Sequence, residues 1–471
     1  MKKPLYILLC IVLFIGTLSI SIKNKMKNIF GGELFQNFAL AGEAAEKPLG
    51  DDEVSKNIID VKYIKEDGTI DTRQMIVYRP ADAEGDIPLI YIPHYAAEEN
   101  SKDFIGYIKK GWAVASAYQF RSEYNGTLAT DDLVFNNAAL YTLRHMDGID
   151  KEKIALVGGS AGGYMTLMLS GLQMGSVCSL ANSAIANSYF NAHEYFPACD
   201  EVNRHSGLLN VTMPIQCLVS KSFQPANKII DDTDTARWEA VSPVSLANAI
   251  SSPLVMTHNT SDILVPLDQV THKHVFAHND GTLPEGFDCH MASDYPGILS
   301  KTFEEEADPD QLTMNYIQPE NMIVSGDLPY SDKRITLDII DDGAPTAKGS
   351  HANPSLKGGF DSFPYLEEMM NKMLAQTEKA DKNKLILLLE RYQGKSLALP
   401  AHENVDDTVY GSLAVYQQEI IDELSTYMKN HSAEELDTEI RNAVSTLAES
   451  DQEAYLQAWS DILAKSGIEL N

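Results

Sequence analysis

Apolar and polar positions divide the chain into three regimes. Residues 4–22, PLYILLCIVLFIGTLSISI, are apolar on every face and carry no charge. From about residue 58, short apolar runs alternate with segments of helical period. IIDVKYI and RQMIVYRP predict two strands joined through Asp67-Gly68, a hairpin-type turn. IPLIYIP (87–93), WAVASAY, KIALVG (153–158), a run within 176–187, PLVMTHN (253–259) and RITLDIID (334–341) predict further strands. The runs that are apolar throughout are of the kind buried on both faces of a sheet. Between them, SKDFIGYIKKG predicts a helix with Ser101 as N-cap and Gly111 as stop. DDLVFNNAALYTLRH predicts a second, with Leu133, Ala138, Leu140 and Leu143 on one face and acids in the first turn. GGYMTLMLSG predicts a third. Strand–helix alternation over some 100 residues predicts a mostly parallel sheet covered by helices.

The third regime begins near residue 361, where helical periodicity continues without strands. Leu413, Tyr416, Ile420, Leu424 and Tyr427 form one stripe, and Ser432/Glu435 and Ser450/Glu453 predict capping-box starts of two more helices. Two stretches of weak pattern, about 190–236 and 271–330, interrupt the sheet region and predict lid insertions. The resulting division is 1–28 as signal peptide or N-terminal membrane anchor, 29–57 as linker, 58–378 as the α/β domain, and 379–471 as a helical region.

Charge and cysteines narrow the function classes. The chain of 471 residues carries 37 Lys and Arg against 67 Asp and Glu, a net charge of −30. A field of that sign repels phosphate backbones and argues against nucleic-acid binding. Lys2 and Lys3 ahead of the apolar run predict export, with residues 4–22 as a cleaved signal or a membrane tether. An exported chain permits disulfides, and Cys199 with Cys217 is the pair to test first, whereas Cys178 in an apolar run reads as a small buried hydrophobe.

The chemistry concentrates at KIALVGGSAGGY (153–164): a buried strand, the pattern GxSxG, then a helix. A tight strand-to-helix turn projects the Ser160 hydroxyl above the sheet edge, and the helix N-terminus favours developing negative charge. A serine hydroxyl needs a base, and the base an orienting acid, in the chain order Ser, Asp, His. Asp262 follows the strand PLVMTHN, and His351 follows RITLDIID through a glycine-containing loop. Both stand where an open α/β sheet presents its ligand-contacting loops. Asp341 and Asp342 continue the strand toward His351 and read as structural. The oxyanion donors are the N–H of Ala161 and a group from the loop His94-Tyr95-Ala96-Ala97, which has no HGG motif. His272, His274 and His278 have partial metal-ligand spacing but no HExxH, so no metal and no other cofactor is expected.

Residues 58–378 resemble the catalytic domain of the prolyl oligopeptidase family, an α/β-hydrolase fold with a mostly parallel eight-stranded sheet. The resemblance is carried by GGSAGGYMTL (158–167) and by Trp238-Glu239-Ala240-Val241-Ser242-Pro243 leading into SSPLVMTHNTSDILVPLDQ. Asn259 stands where the family usually has glycine. The resemblance implies Ser160 as nucleophile, Asp262 as acid, His351 as base, and Tyr95 as a hydroxyl donor to the oxyanion. Peptidases of the family carry a β-propeller, which residues 29–57 are too short to encode, so the expectation leans to an esterase acting on small esters, with peptidase as the alternative. A surface binding protein that keeps the fold without turnover is the alternative from another class.

Overall fold

The computed structural model describes residues 47–190, 230–259, 265–271, 301–317, 333–340 and 413–470, except 173, 232, 266, 448 and 469, and a few positions between 385 and 399. The segments 1–46, 191–229, 272–300 and 341–384 lie outside the described residues. With them go the apolar run 4–22, the pair Cys199/Cys217, the three histidines of THKHVFAH, Asp341 and Asp342. No described helix is long and apolar enough to cross a membrane.

Among the described residues, nine strands form one sheet in the order β1-β2-β4-β3-β5-β6-β7-β9-β8. β1 (Val54–Ile64) and β2 (Ile70–Pro80) make the expected antiparallel hairpin, closed at Gly68 with φ 81°. β1 starts at Val54 and so takes in the end of the stretch read as linker. β2 pairs antiparallel with β4 (Ala113–Ala117), and every later pairing is parallel. β3 (Ile87–Ile92), β5 (Ile149–Gly159), β6 (Cys178–Asn182), β7 (Leu254–Asn259) and β9 (Ile335–Ile340) fall on the expected runs. β8 (Leu312–Ile317) does not. It comes from the insertion 271–330 and adds a ninth strand outside β9, one more than the eight expected. LTMNYI alternates weakly, and as an edge strand it is paired only with β9, so it needs no two-sided apolar pattern.

The helices follow from their caps. In α1 (Lys102–Lys109) the Ser101 side chain accepts from the Phe104 N–H, and Gly111 at φ 88° ends the turn. α2 (Asp131–Arg144) buries Leu133, Ala138, Leu140 and Leu143 as expected, but Asp132, Asn136 and Asn137 are buried too. Its polar residues are therefore part of the interior. α3 (Ala161–Gly171) is buried throughout. Short helices α4 (Thr235–Ala240) and α5 (Asp268–Thr271) flank β7 in sequence.

Among the described residues, the apolar interior has three clusters: a large one around β1 to β6, a smaller one under β7 to β9, and a third among the C-terminal helices. The last are α6 (Leu413–Tyr427), α7 (Ala433–Val444) and α8 (Glu449–Ser466). Ile420 and Leu424 of the predicted stripe are buried. Ser432 and Glu435 form the reciprocal capping box of α7, whereas α8 already begins at Glu449 and leaves Ser450 inside its first turn. Cys178 is a free, buried thiol whose pKa is pushed up to about 12 by burial. Among the described residues, no group of His, Cys, Asp and Glu is arranged to hold a metal.

Candidate active site

Ser160 sits at the turn between β5 and α3 with φ 56° and ψ −121°. A non-glycine residue held at positive φ costs about 1–3 kcal/mol and persists only where its surroundings dictate it. Those surroundings are visible. The Ser160 N–H donates to Asn182 O at the end of β6 (2.8 Å), and the Ser160 carbonyl accepts from the Tyr164 N–H of α3 (2.9 Å). A Cβ on Gly158 would lie 2.3 Å from Gly162 O, and one on Gly162 would lie 3.1 Å from Pro93 O and 3.2 Å from the Tyr95 ring. The glycines of GxSxG therefore let β5, α3 and the loop after β3 approach at this point.

That loop brings Tyr95 to Ser160. The Tyr95 side chain is fully buried, and its hydroxyl makes no well-formed hydrogen bond among the described residues. Burial raises its pKa well above the ordinary phenol range, the Asp132 charge adds to this, and the Ser160 side chain and the Ala161 backbone N–H, its polar neighbours, act to lower it. The hydroxyl is consequently a neutral donor, positioned beside Ser160. The Ala161 N–H heads α3, where first-turn amides lack partners inside the helix. Ser160, the Ala161 N–H and the Tyr95 side chain are neighbours at this turn. Asp262 and His351 lie outside the described residues.

Arg73, Asn125, Asp132 and Asn136 had no site role in the sequence reading, and His94 entered it only as part of the donor loop. His94, buried, has φ 70°, and the Tyr95 N–H donates to Pro93 O (2.9 Å) across it. This is a γ-turn of the rare positive-φ kind. His94 Nδ1 is 2.6 Å from Asp132 Oδ2, Nε2 is 3.0 Å from Asn125 Oδ1, and the His94 N–H donates to Asn136 Oδ1 (2.8 Å). The other Asp132 oxygen accepts from Arg73 Nη1 (2.7 Å). Arg73 is in turn surrounded by rings, 3.8 Å from the centroid of Tyr124 and 5.1 Å from those of Tyr63 and Phe135. Phe120 packs on both His94 and Tyr95. A histidine–aspartate pair beside a serine invites a catalytic reading, but both His94 ring nitrogens are committed elsewhere, so His94 is not the base for Ser160. The local signal was a histidine beside the tyrosine and a second acid at the start of α2.

Sheet order, a nucleophile-type elbow after β5 and the loop after β3 define an α/β-hydrolase fold. Residues 75–274 match the family model BD-FAE, a stretch that includes Tyr95 and Ser160. Solved structures similar to this chain include oligopeptidase B from Leishmania major (12% identity, TM-score 0.39, covering 68% of this chain and 37% of that one). The acylaminoacyl peptidase of Pyrococcus horikoshii matches at 13% identity and TM-score 0.37, covering 70% and 42%. The acetyl xylan esterase of Paenibacillus sp. R4 matches at 18% identity and TM-score 0.31, covering 48% and 76%. This chain therefore spans less than half the length of the solved peptidases it matches. No curated protein matches it.

Proposed function

We propose that the protein is an exported serine hydrolase that cleaves a small carboxylic ester, or a short peptide, through an acyl-enzyme. The observation that carries this reading is the pairing at the elbow. A strained, buried serine stands beside a buried tyrosine hydroxyl whose polar neighbours are the Ser160 side chain and the Ala161 N–H. An oxyanion arising next to Ser160 would accept from this hydroxyl and from the Ala161 N–H together.

In this mechanism Ser160 Oγ attacks the substrate carbonyl while His351 takes its proton. Asp262 holds the imidazole and supports the imidazolium. The tetrahedral oxyanion accepts from the Ala161 N–H and the Tyr95 hydroxyl. His351 then returns the proton to the leaving alkoxide or amine, and water repeats the sequence to free the acid. Residues 4–22 serve as export signal or anchor, and esters are the preferred substrates.

A fluorophosphonate probe tests the chemistry: labelling of the wild type that disappears in Ser160→Ala is expected, and a folded wild type that resists the probe would end the proposal. Parallel assays on short acyl esters and the matching amides test the preference. Amide turnover as fast as ester turnover would reassign the protein to peptidase work.

A further inference from the structure

The γ-turn at His94 is an expensive way to carry a tyrosine. Its central residue is a non-glycine at φ 70°, a conformation that costs about 1–3 kcal/mol. Within Pro93-His94-Tyr95 the turn has its own Tyr95 N–H to Pro93 O bond and the contact of the His94 and Tyr95 rings, but the polar groups of His94 are held from elsewhere. They are held by residues distant in the chain: Asn125 before α2, Asp132 and Asn136 on α2, and, behind Asp132, Arg73 on β2. Asn136 also accepts from the Tyr91 hydroxyl of β3 (2.9 Å) and donates through Nδ2 to Asp132 O (2.8 Å), which fixes the amide that receives the His94 N–H. The arrangement is buried, with Asp132 about 1% exposed and the Arg73 side chain 11%.

We propose that Asp132, through His94, is a positioning device for the Tyr95 hydroxyl: the buried chain Arg73–Asp132–His94 locks the strained turn that aims Tyr95 at the oxyanion site. The geometry favours this over a purely structural ion pair. A salt bridge that only joined β2 to α2 would need one carboxylate oxygen, and here the second is spent on the imidazole. The imidazole in turn belongs to the residue whose backbone sets the direction of Tyr95. His94 and Asp132 touch no reacting atom in this scheme and act through Tyr95.

This inference rests on the hydrolase reading, and a double-mutant cycle separates the two. Tyr95→Phe is expected to lower kcat by about 10²–10³ with KM little changed. Asp132→Asn is expected to lower kcat by about 10–10², again with KM nearly constant, because displacing a catalytic donor by a fraction of an ångström has that scale. Asp132→Asn also leaves Arg73 without its counter-ion and can unfold the protein. His94→Asn is the safer partner, since asparagine tolerates positive φ and the Arg73–Asp132 pair stays intact. It should show the same loss of kcat in a protein that is still folded at the assay temperature, with a melting temperature lowered by the loss of the buried imidazole's two contacts. In the Tyr95→Phe background, His94→Asn should produce no further loss, because the hydroxyl it positions is gone. Full additivity in that background, or wild-type kcat in folded His94→Asn, would overturn the positioning role while Ser160-dependent labelling leaves the hydrolase reading standing. Absence of Ser160-dependent labelling in the wild type would overturn both.

Discussion

At the scale of single residues, Asp268 has the most exposed consequence. It opens α5, six residues beyond Asp262, and is almost completely buried. Burial pushes its carboxyl up to about 7, although its own N–H and that of Gln269 pull the other way. Its Oδ1 has no hydrogen-bond partner among the described residues. A folded-state pKa raised above the unfolded value of 3.8 means that between pH 4 and 7 the folded protein holds this proton and the unfolded chain does not. The stabilising contribution is complete below pH 3.8 and is lost as pH rises through 7, with a ceiling of about 4 kcal/mol. Asp268→Asn should therefore stabilise the protein at pH 8 and change little at pH 4. Urea unfolding at the two pH values checks this, and a pH-independent difference would show that Asp268 does not titrate in this range. Residues such as Asp268 and Asp132 were not legible in the sequence, because burial of an acid is decided by chain segments far away. The turn that carries Ser160 was legible because its neighbours announce it, glycines at 158 and 162 after a buried strand, whereas Tyr95 was singled out only through the family resemblance.

At the scale of elements, the central strands were readable because each is buried along most of its length and so reads as a continuous apolar run; β9 is buried at all six positions. β8 was not readable for the opposite reason. It is an edge strand, its interior residues are half-buried, and Tyr316 is 66% exposed. The junction of β5 and α3 is where element packing meets chemistry. A methyl group at Gly158 would be driven into the Gly162 carbonyl at 2.3 Å, and backbone cannot swing away as a side chain would. Gly158→Ala is thus expected to destabilise by about 1–3 kcal/mol and to move α3 away from β5. Because Ala161 and Ser160 ride on that junction, the rate of phosphonate labelling should fall together with stability. A variant as stable as wild type that labels at the wild-type rate would mean that the turn has slack which the contact distances deny.

At the scale of the whole molecule, the question is whether the C-terminal helices share a folding unit with the sheet. They have their own apolar cluster, built from Leu436, Ile440, Trp459 and Ile462 with Ile420 and Leu424 of α6. The tail 381–471 also carries 17 acidic against 7 basic residues, so its outer surface is repelled by an already acidic protein. Against this stand Leu399, which packs in the apolar cluster of the sheet, and an ion pair. Arg144, in the last turn of α2, donates to Glu419 of α6, and the two side chains are only 18% and 13% exposed. Arg144 also packs over Gly175, where a Cβ would come within 2.6 Å of its Nε. A largely buried pair of this kind is worth more than an exposed one, and removing one partner leaves the other charge poorly solvated. Glu419→Gln should lower stability by about 1–3 kcal/mol. If the tie couples the two parts, the loss appears as a single thermal transition moved downward, with Ser160 labelling at 25 °C unchanged because α2's far end, not its Asp132 end, is disturbed. If the helices are an independent unit, the variant should instead split the transition in two, with the helical part melting first while labelling persists to the wild-type temperature.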